Sequence, residues 1–484
     1  MSTSNLLRNV SAGLLLGALV ASSFSARARA APPEPAPAPG PADDDVSGVL
    51  LPEVEPSPSP ARHLLFVPRL AVTMVTVPVA RGLTIVEEHH LHERLIDLFF
   101  DDTRTFGIYP TVALETRLTP GVGMRLVHKN LFGQGGRLRV GGDYGGESRF
   151  RLEGGLTSPA IAAGMLRGRL TGGWQRQPSA AFFGIGNQSL VSTSDATIPT
   201  IPFTARGPFA ASTHFAQRVA HAELAVEIDP NGPLFAAVSA AYFKRDFGDD
   251  GAAVGADGAP RGDRTEVRFD TASLAGWRQG TEIAYSEAQL GWNTLTAVTP
   301  YVSEAAPSTG TKVVAFAGVA RGIGGADVGY TRYGVDGFRY FDLYHGDRVL
   351  ILRGRLEGVV GSEERIPFTD LPRLGGPVLL RGYDRDRFRD RVAVLGSMEY
   401  RYPVSRQLGG FLFIDAGRVL PGLQDVGSAV RAPRQLRAGG GGGLEVLQGD
   451  VFRLRGQVAG SPEGFFFQLA LEPVYRLPTH HQRI

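Results

Sequence analysis

The stretch of sequence that decides the fold is residues 374–383, which read LGGPVLLRGY. Two further segments follow it along the chain: residues 399–403 read EYRYP, and residues 413–417 read FIDAG. Paired glycines allow a tight turn, and an arginine taken out of water needs a carboxylate partner. If this turn lies inside a barrel, its arginine needs such a partner, and Glu399 and Asp415 follow at strand-like distance; otherwise the segment is an ordinary exposed turn.

The sequence around this turn alternates with a period of two residues. Charged or polar side chains alternate with Phe, Leu or Gly in residues 149–154, 166–171, 352–357 and 452–458. A period of two is typical of β-strands, and strongly charged faces opposite apolar ones are typical of membrane barrels. We count about sixteen such strands of roughly ten residues each, joined by Gly, Asp and Pro clusters. The fold class predicted is an all-β transmembrane antiparallel barrel.

Four segments interrupt the alternation and are predicted to be loops. They are residues 176–210, 245–263, 298–309 and 421–435. Turn residues are concentrated in them, as in the Asp and Gly pairs near residues 249–258.

Alternation also orients one of the two acidic residues beyond the turn. In the run that ends at Arg401, it puts Ser397 and Glu399 on one face and Met398 and Tyr400 on the other. Glu399 should therefore point into the barrel lumen. Asp415 lies between apolar residues on both sides, so alternation alone does not orient it.

Composition excludes several other classes of protein. The chain has 484 residues, of which 43% are hydrophobic and 20% charged, and 63 are glycine. Beyond the N-terminus no segment offers the roughly 18 consecutive apolar residues of a membrane-spanning helix. Without cysteine there can be no disulfide, thiolate metal site or cysteine nucleophile. Acidic residues interrupt the basic clusters, so no nucleic-acid partner is expected.

The N-terminus has the features of a secretory signal peptide. Arg8 supplies positive charge, residues 12–20 are mostly apolar, and residues 28–30 read ARA, a small-x-small cleavage site. The apolar run is too short to cross a bilayer as a helix. We therefore expect the mature chain to begin near Ala31.

The rest of the chain before the barrel divides into two segments. Pro and Ala dominate the first, which cannot bury enough apolar surface to order itself. A capping box at Thr84 and Glu87 and apolar residues at helical spacing predict a short amphipathic helix at 85–100 in the second. The predicted organisation is a signal peptide at 1–30, a Pro/Ala-rich linker at 31–62, an apolar segment with the helix at 63–104, the barrel at 105–476 and a C-terminal tail at 477–484.

The paired glycines, the Arg-Gly-Tyr triplet and the acidic strands beyond them resemble the signature of the BamA/TamA-like outer-membrane assembly superfamily, the bacterial surface antigen family. The resemblance implies that the loop folds into the barrel, where Arg381 meets Glu399 and Asp415. It also places Asp415 on the lumenal wall. The site residues it implies are Gly375, Gly376, Arg381, Gly382, Tyr383, Glu399 and Asp415. Gly382 would let the loop turn tightly, and Tyr383 would pack its tip against the wall.

Two further segments resemble the same family. Residues 128–135 read HKNLFGQG, similar to a turn between early strands, and residues 183–187 read FGIGN, as in smaller members. In one respect the chain departs from the best-known members. Residues 31–104 show no βααββ pattern, so no periplasmic POTRA domain is recognisable.

The resemblance implies a bacterial outer-membrane location and a non-enzymatic role. Such a barrel would insert or translocate polypeptides, or move lipid, through a lateral seam between its first and last strands. The partners implied are outer-membrane lipid, unfolded outer-membrane proteins and periplasmic factors. The alternative is a passive channel or structural barrel without assembly activity, which the missing POTRA pattern favours.

An enzyme, a metal site and a cofactor are not expected. His89, His90 and His92 lie close together, but their spacing differs from the i, i+4 pair of helical zinc sites. The glycine run at 439–443 lacks the Lys-Ser/Thr of a phosphate-binding loop. An outer-membrane lipase or protease would need a nucleophile and a base, and only His128 and His221 stand in a strand context.

Overall fold

The computed structural model describes most of the chain from Phe99 to Glu472. The described residues are 99–115, 121–131, 133, 135–145, 149–190, 202–248, 263–297, 307–346, 348–404, 408–431, 433–448 and 452–472. The predicted signal peptide, the linker, nearly all of the predicted helix at 85–100 and the C-terminal tail lie outside these ranges. So does the segment in which a POTRA pattern was sought, apart from residues 99–104.

Sixteen long strands and three two-residue strands make up the described part of the chain. The long strands are β1 Phe106–Glu115, β2 Gly121–Leu131, β3 Gly136–Gly145, β4 Arg149–Thr157, β5 Leu166–Phe182, β6 Thr213–Ile228, β7 Leu234–Gly248, β9 Thr281–Asn293, β10 Gly310–Gly322, β11 Gly329–Tyr344, β12 Arg348–Val360, β15 Val392–Pro403, β16 Leu408–Leu420, β17 Arg437–Gln448, β18 Phe452–Ser461 and β19 Gly464–Glu472. The short strands are β8 Asp263–Arg264, β13 Arg373–Leu374 and β14 Phe388–Arg389.

The helices are short. The α-helices are α1 Thr265–Arg268 and α2 Val426–Arg431, and the 3-10 helices are Thr271–Ser273, Glu363–Arg365, Phe368–Asp370, Leu423–Asp425 and Pro433–Gln435. In the part of the chain that is described, no helix has the length and apolar character needed to cross a membrane.

The long strands form one antiparallel sheet that comes back to its first strand. Each long strand pairs with the next one along the chain, and β19 pairs with β1. Within the described residues, this last pairing joins β1 and β19 over Ala113–Glu115, and β1 pairs with β2 over Phe106–Ala113. The predicted antiparallel barrel of about sixteen strands is thus confirmed. We call the junction of β1 and β19 the seam.

The alternation seen in the sequence becomes two different faces of the barrel wall. In β7 the side chains of Leu234 and Val238 are 63% and 51% exposed, while Ala237 and Ser239 between and beside them are buried. The exposed apolar side chains form the outer face, as lipid contact requires. Charged and polar side chains occupy the inner face.

The three longest connections between strands all lie at one end of the barrel, which we call the loop end. They are residues 183–212, 249–280 and 361–391. At the opposite end, the turn end, the chain enters β1 and leaves β19. The predicted loops are shorter than expected because β5 continues to Phe182 and β7 to Gly248, so the boundaries at 176 and 245 were wrong.

A buried aromatic cluster joins these three connections to the wall. Phe182 and Phe215 begin it on β5 and β6, and Phe269, Trp277 and Phe368 complete it from the connections. Ring centroids lie 5.0 Å apart for Phe182 and Phe269 and 5.5 Å apart for Phe215 and Phe368. Edge-to-face contacts of this kind stabilise a packed core. The cluster fixes connection 361–391, which carries the predicted site, against β5 and β6.

Candidate functional site

The predicted site lies at the tip of a small hairpin within connection 361–391. Strands β13 and β14 pair Arg373 with Arg389 and Leu374 with Phe388, and the segment between them is the tip. We call residues 373–389 the Arg381 hairpin. Its first turn depends on Gly375, which has φ +111° and whose missing Cβ would lie 2.2 Å from a backbone oxygen. A side chain there would force the turn apart.

The guanidinium of Arg381 binds two carboxylates of the barrel wall at once. Its Nε and Nη2 each donate to Asp415 over 2.8 Å, and its Nη1 donates to Glu399 over 2.7 Å. The backbone N–H of Arg381 also donates to Asp415, over 2.9 Å. Ser397 completes the arrangement, since its hydroxyl lies 3.1 Å from Nη2 and donates to Asp415. This is a bidentate Arg–Asp pair with a third anchor on Glu399.

Because these charged groups are buried, removing any one of them should cost free energy. Arg381 is 6% exposed and Asp415 is 1% exposed. The guanidinium carbon of Arg381 also stands 3.5 Å from the centre of the Phe413 ring, a cation–π contact. An uncompensated buried charge would remain if either partner were removed.

The charges around Arg381 balance. Glu399 also pairs with Arg401 over 2.9 Å and with Arg455 over 3.1 Å. Glu445 lies 3.5 Å from Arg455 and 3.8 Å from Arg401. The network therefore joins three cations and three carboxylates: Arg381, Arg401, Arg455, Glu399, Asp415 and Glu445. It extends over the inner faces of four strands, β15 to β18.

The residues after the arginine fasten the tip of the hairpin to the wall. Gly382 has φ +96°, and a Cβ there would lie 2.8 Å from the backbone oxygen of Gly460 on β18. The hydroxyl of Tyr383 donates to the backbone oxygen of Ala438 over 3.1 Å, and its ring packs against Phe388. The structure thus brings the predicted arginine, glutamate and aspartate into contact and sets Tyr383 against the wall.

Gly439 is a residue of this site that the sequence interpretation missed. It lies on β17 opposite Asp415, and a Cβ there would stand 1.9 Å from the backbone oxygen of Arg381. The glycine run at 439–443 had been examined only as a phosphate loop. Glycine within a strand often marks the close approach of another backbone, and this signal could have identified Gly439.

Asp370 attaches the same connection to a different part of the wall, at β7 and β11. The sequence interpretation missed this residue as well. Its carboxylate forms an ion pair with Arg245 of β7 over 2.8 Å and accepts from the Tyr330 hydroxyl of β11 over 2.9 Å. Arg332 donates to the backbone oxygen of Asp370 and pairs with Glu357. Asp370 and Arg332 are both fully buried. Connection 361–391 is therefore held at β7 and β11 as well as at β15 to β18.

A third attachment reaches the hairpin that ends the barrel. Arg387 forms a bidentate pair with Glu463, in the turn between β18 and β19, with both distances 2.8 Å. Arg387 also donates to the backbone oxygen of Gln188 over 2.7 Å. The segment that reads FGIGN takes part here, because the N–H of Gly186 donates to the backbone oxygen of Arg389 over 2.9 Å.

An ion pair at the far end of the connection is partly desolvated. Arg206 lies 2.8 Å from Asp390 and 3.1 Å from Glu363. Burial raises the pKa of the Asp390 carboxyl although Arg206 acts in the opposite direction. Within the described residues, no group of three His, Asp or Glu side chains is arranged to hold a metal ion.

Comparisons with known proteins identify the domain that contains this hairpin. Residues 303–461 match the model of the Omp85 superfamily domain. This span includes the Arg381 hairpin, and the resemblance predicted from the sequence is confirmed. The match also confirms the predicted location in the bacterial outer membrane. No curated protein matches the chain.

Among solved structures that the chain resembles, one supports the barrel fold. BamA from Haemophilus ducreyi lacking POTRA domains 1–3 is 14% identical with a TM-score of 0.51, and the match covers 76% of this chain and 70% of that one. CdiB from Acinetobacter baumannii is 10% identical, with a TM-score of 0.43 and coverages of 76% and 59%. CdiB from Escherichia coli is 10% identical, with a TM-score of 0.46 and coverages of 75% and 62%.

Proposed function

We propose that this outer-membrane barrel, which carries an Omp85 superfamily domain, inserts or translocates polypeptides through the seam between β1 and β19. The observation that carries the proposal is that, within the described residues, these two strands pair over Ala113–Glu115. A backbone N–H or C=O that lacks a partner in lipid costs several kcal/mol. Because a seam with few paired residues has few backbone hydrogen bonds to break, it is the place where the wall opens most easily.

Part of the described edge of β1 is unpaired across the seam. The register would set Val112 and Thr111 opposite Leu471 and Glu472 of β19, but no pair forms there. Besides its pairing with β2, Gly107 of β1 forms an isolated bridge with Phe100. An exposed strand edge is a template for another strand, so this edge could accept a segment of an unfolded polypeptide.

In this mechanism the Arg381 hairpin folds into the lumen and braces one side of the seam. Its partners Glu399 and Asp415 lie on the inner face, opposite the exposed Met398 and Ile414. The ion pair between Arg387 and Glu463 attaches the same hairpin to the turn next to β19. The last strands would then keep their shape while β1 moves away from them. No step requires a nucleophile, a metal or a cofactor.

A passive channel is the alternative, and the aromatic cluster weighs against it. The buried rings of Phe182, Phe215, Phe269 and Phe368 pack between the wall and the connections at the loop end. An apolar plug of this kind narrows the path that ions would take. We therefore expect low conductance in the resting state.

Reconstitution of the purified chain in lipid vesicles tests the proposal. The assay adds an unfolded outer-membrane barrel protein, here called the client, and follows its folding into the membrane by its shift in mobility on cold gels. We expect the vesicles to accelerate client insertion over empty vesicles, with little steady conductance in planar bilayers. Steady open conductance without accelerated insertion would support the passive channel instead.

A further inference from the structure

A group of basic residues lies on the outer face of the barrel, at the loop end of four of the five long strands from β5 to β10. They are Arg176 of β5, Arg218 of β6, Lys244 of β7 and Arg321 of β10. Arg218, Lys244 and Arg321 are exposed, and Arg176 is half-buried. We call these four residues the basic patch.

The basic patch follows directly on the apolar band of the same strands. Two residues before Arg176 on the same face lies Trp174, 40% exposed, and two residues before Lys244 lies Tyr242, 36% exposed. Below them the outer face is apolar, as at Leu224, which is 56% exposed. Aromatic residues mark the interfaces of outer-membrane barrels. The patch therefore begins where the hydrocarbon ends.

The wall neutralises the patch only in part: Asp246 is the register partner of Arg218 and Glu282 that of Lys244, and the other two cations have no acidic register partner. Arg176 is the register partner of Arg218, and like charges directly opposite each other destabilise a sheet. Asp246 and Glu282 are the carboxylates on the same face of these strand ends, within the described residues, so four cations face two anions. Arg176, Lys244 and Arg321 form no ion pair with any described residue.

The opposite part of the wall shows that this charge is local. On β2, β3 and β4 the outer face stays apolar toward the loop end, with Val122 57%, Met124 55%, Tyr144 56% and Phe150 38% exposed. Compared with β2 to β4, the described outer surface thus changes from apolar to basic at the loop end of β5 to β10. A shallow cleft of about 120 Å³ runs beside Arg176, Arg218 and Asp246.

The orientation of the barrel puts the basic patch at the outer leaflet. Outer-membrane barrels have short periplasmic turns and longer extracellular loops, and the three longest connections lie at the loop end. We propose that the basic patch binds the phosphate groups of glycolipid headgroups in the outer leaflet. This inference rests on the outer-membrane location and does not depend on the function proposed for the seam.

The side chains suit this partner. Arginine presents a planar fork that can bind two phosphate oxygens, and lysine acts as a mobile point charge. Long cationic side chains also extend along apolar surface to bring the charge to the headgroup level. A phosphorylated headgroup between Arg176 and Arg218 would relieve the repulsion between these two cations.

The test compares lipid binding by the parent chain and by the double variant Arg176→Ser/Lys244→Ser, each in neutral-lipid nanodiscs. Native mass spectrometry measures the affinity for lipid A and for dephosphorylated lipid A. We expect the double variant to bind lipid A about tenfold more weakly, since charge-assisted hydrogen bonds of this strength are lost. The parent should prefer lipid A over the dephosphorylated form by a similar factor.

A matched control removes two outer-face cations at the turn end, through Arg339→Ser/Arg348→Ser. Both arginines are exposed. We expect this control to bind lipid A as the parent does. Equal affinity of parent and patch variant, no preference of the parent for the phosphorylated form, or an equal loss in the control would each overturn the proposal. The heat-induced mobility shift of every variant shows whether it has folded.

Discussion

The two flanks of the seam are built differently. On the β15–β18 flank, the side chains of Arg381 and Asp415 are only 7% and 1% exposed. The Arg381 hairpin, which is not itself part of the wall, joins these strands. On the β1–β4 flank, the ion pairs join wall residues to one another. Arg125 binds Asp143 over 2.9 Å and Glu153 over 3.0 Å, and the Asp143 side chain is 28% exposed. The first flank is cross-braced from a separate hairpin, whereas the second has no such brace and its carboxylates are 23–28% exposed around an Arg125 side chain that is 11% exposed.

The difference indicates which part of the barrel can move. Breaking a buried ion pair costs about 3–5 kcal/mol, whereas solvated pairs contribute about 0–1 kcal/mol. The braced flank should hold its shape on the timescale of client entry, and the β1–β4 flank should be the one that shifts. Four substitutions test this comparison, in order of the expected effect.

The largest effect is expected from Arg381→Ala. It leaves the carboxylates of Glu399 and Asp415 buried with less compensation, so the free energy of unfolding should fall by about 3–5 kcal/mol. Urea unfolding of the reconstituted barrel and the temperature of its mobility shift measure this. Arg125→Ala is the matched control on the other flank and should cost about 1 kcal/mol. Equal losses would show that the two flanks do not differ.

Asp370→Ala should have the next largest effect. It removes the buried partner of Arg245 and the acceptor of the Tyr330 hydroxyl, at a cost of about 3 kcal/mol. Hydrogen exchange should then increase in connection 361–391 ahead of the wall strands. A variant with native exchange in this connection would mean that Asp370 does not anchor it.

Gly439→Ala should displace the tip of the hairpin. Its new methyl group would stand 1.9 Å from the backbone oxygen of Arg381, so we expect a loss of about 1–3 kcal/mol. Gly440→Ala is the neighbouring control, because its methyl group would lie 3.4 Å from the nearest atom. Unfolding curves of the two variants measure the difference. If they coincide, the hairpin does not approach β17 as closely as described.

The smallest effect is expected from Arg387→Lys. Lysine keeps the charge but loses the bidentate geometry toward Glu463, so the loss should be about 1 kcal/mol. Arg365→Lys, at an exposed pair with Asp327, serves as the control and should be nearly neutral. A double-mutant cycle with Glu463→Gln measures the coupling. A coupling energy near zero would show that the Arg387–Glu463 pair does not help to hold the hairpin in place.

Features of the fold and the site that depend on residues close together in the chain could be predicted from the sequence alone. Alternation predicted the antiparallel barrel and the face on which Glu399 lies. It could not orient Asp415, because Phe413 and Ile414 make both faces of that strand apolar; only the family resemblance placed it. The structure shows Asp415 in register with Ser397, and both bind Arg381.

What could not be predicted depends on residues far apart in the chain. Asp370 of connection 361–391 meets Arg245 of β7 and Tyr330 of β11, which are distant in sequence, and no local pattern records this. Gly439 was recognisable as part of a glycine run. Glycine is needed there because the backbone oxygen of Arg381 lies too close for a side chain. The pairing of Ala113–Glu115 with β19 joins the first and last strands of the barrel, which are more than 350 residues apart in the chain. Such features arise from topology and not from periodicity.

The most direct test of seam opening is the rate of client insertion by a barrel whose seam is locked. The chain has no cysteine, so Leu114→Cys/Leu469→Cys would place one pair of thiols across the seam at register partners. Partners on neighbouring strands lie about 4.5–5.5 Å apart between Cα atoms, within the range of a disulfide. Met398→Cys/Ile414→Cys, across β15 and β16, is the matched control. We predict that oxidation abolishes accelerated insertion in the seam variant, that reduction restores it, and that the control is active in both states. Full activity of the oxidised seam variant would contradict a mechanism in which this seam opens.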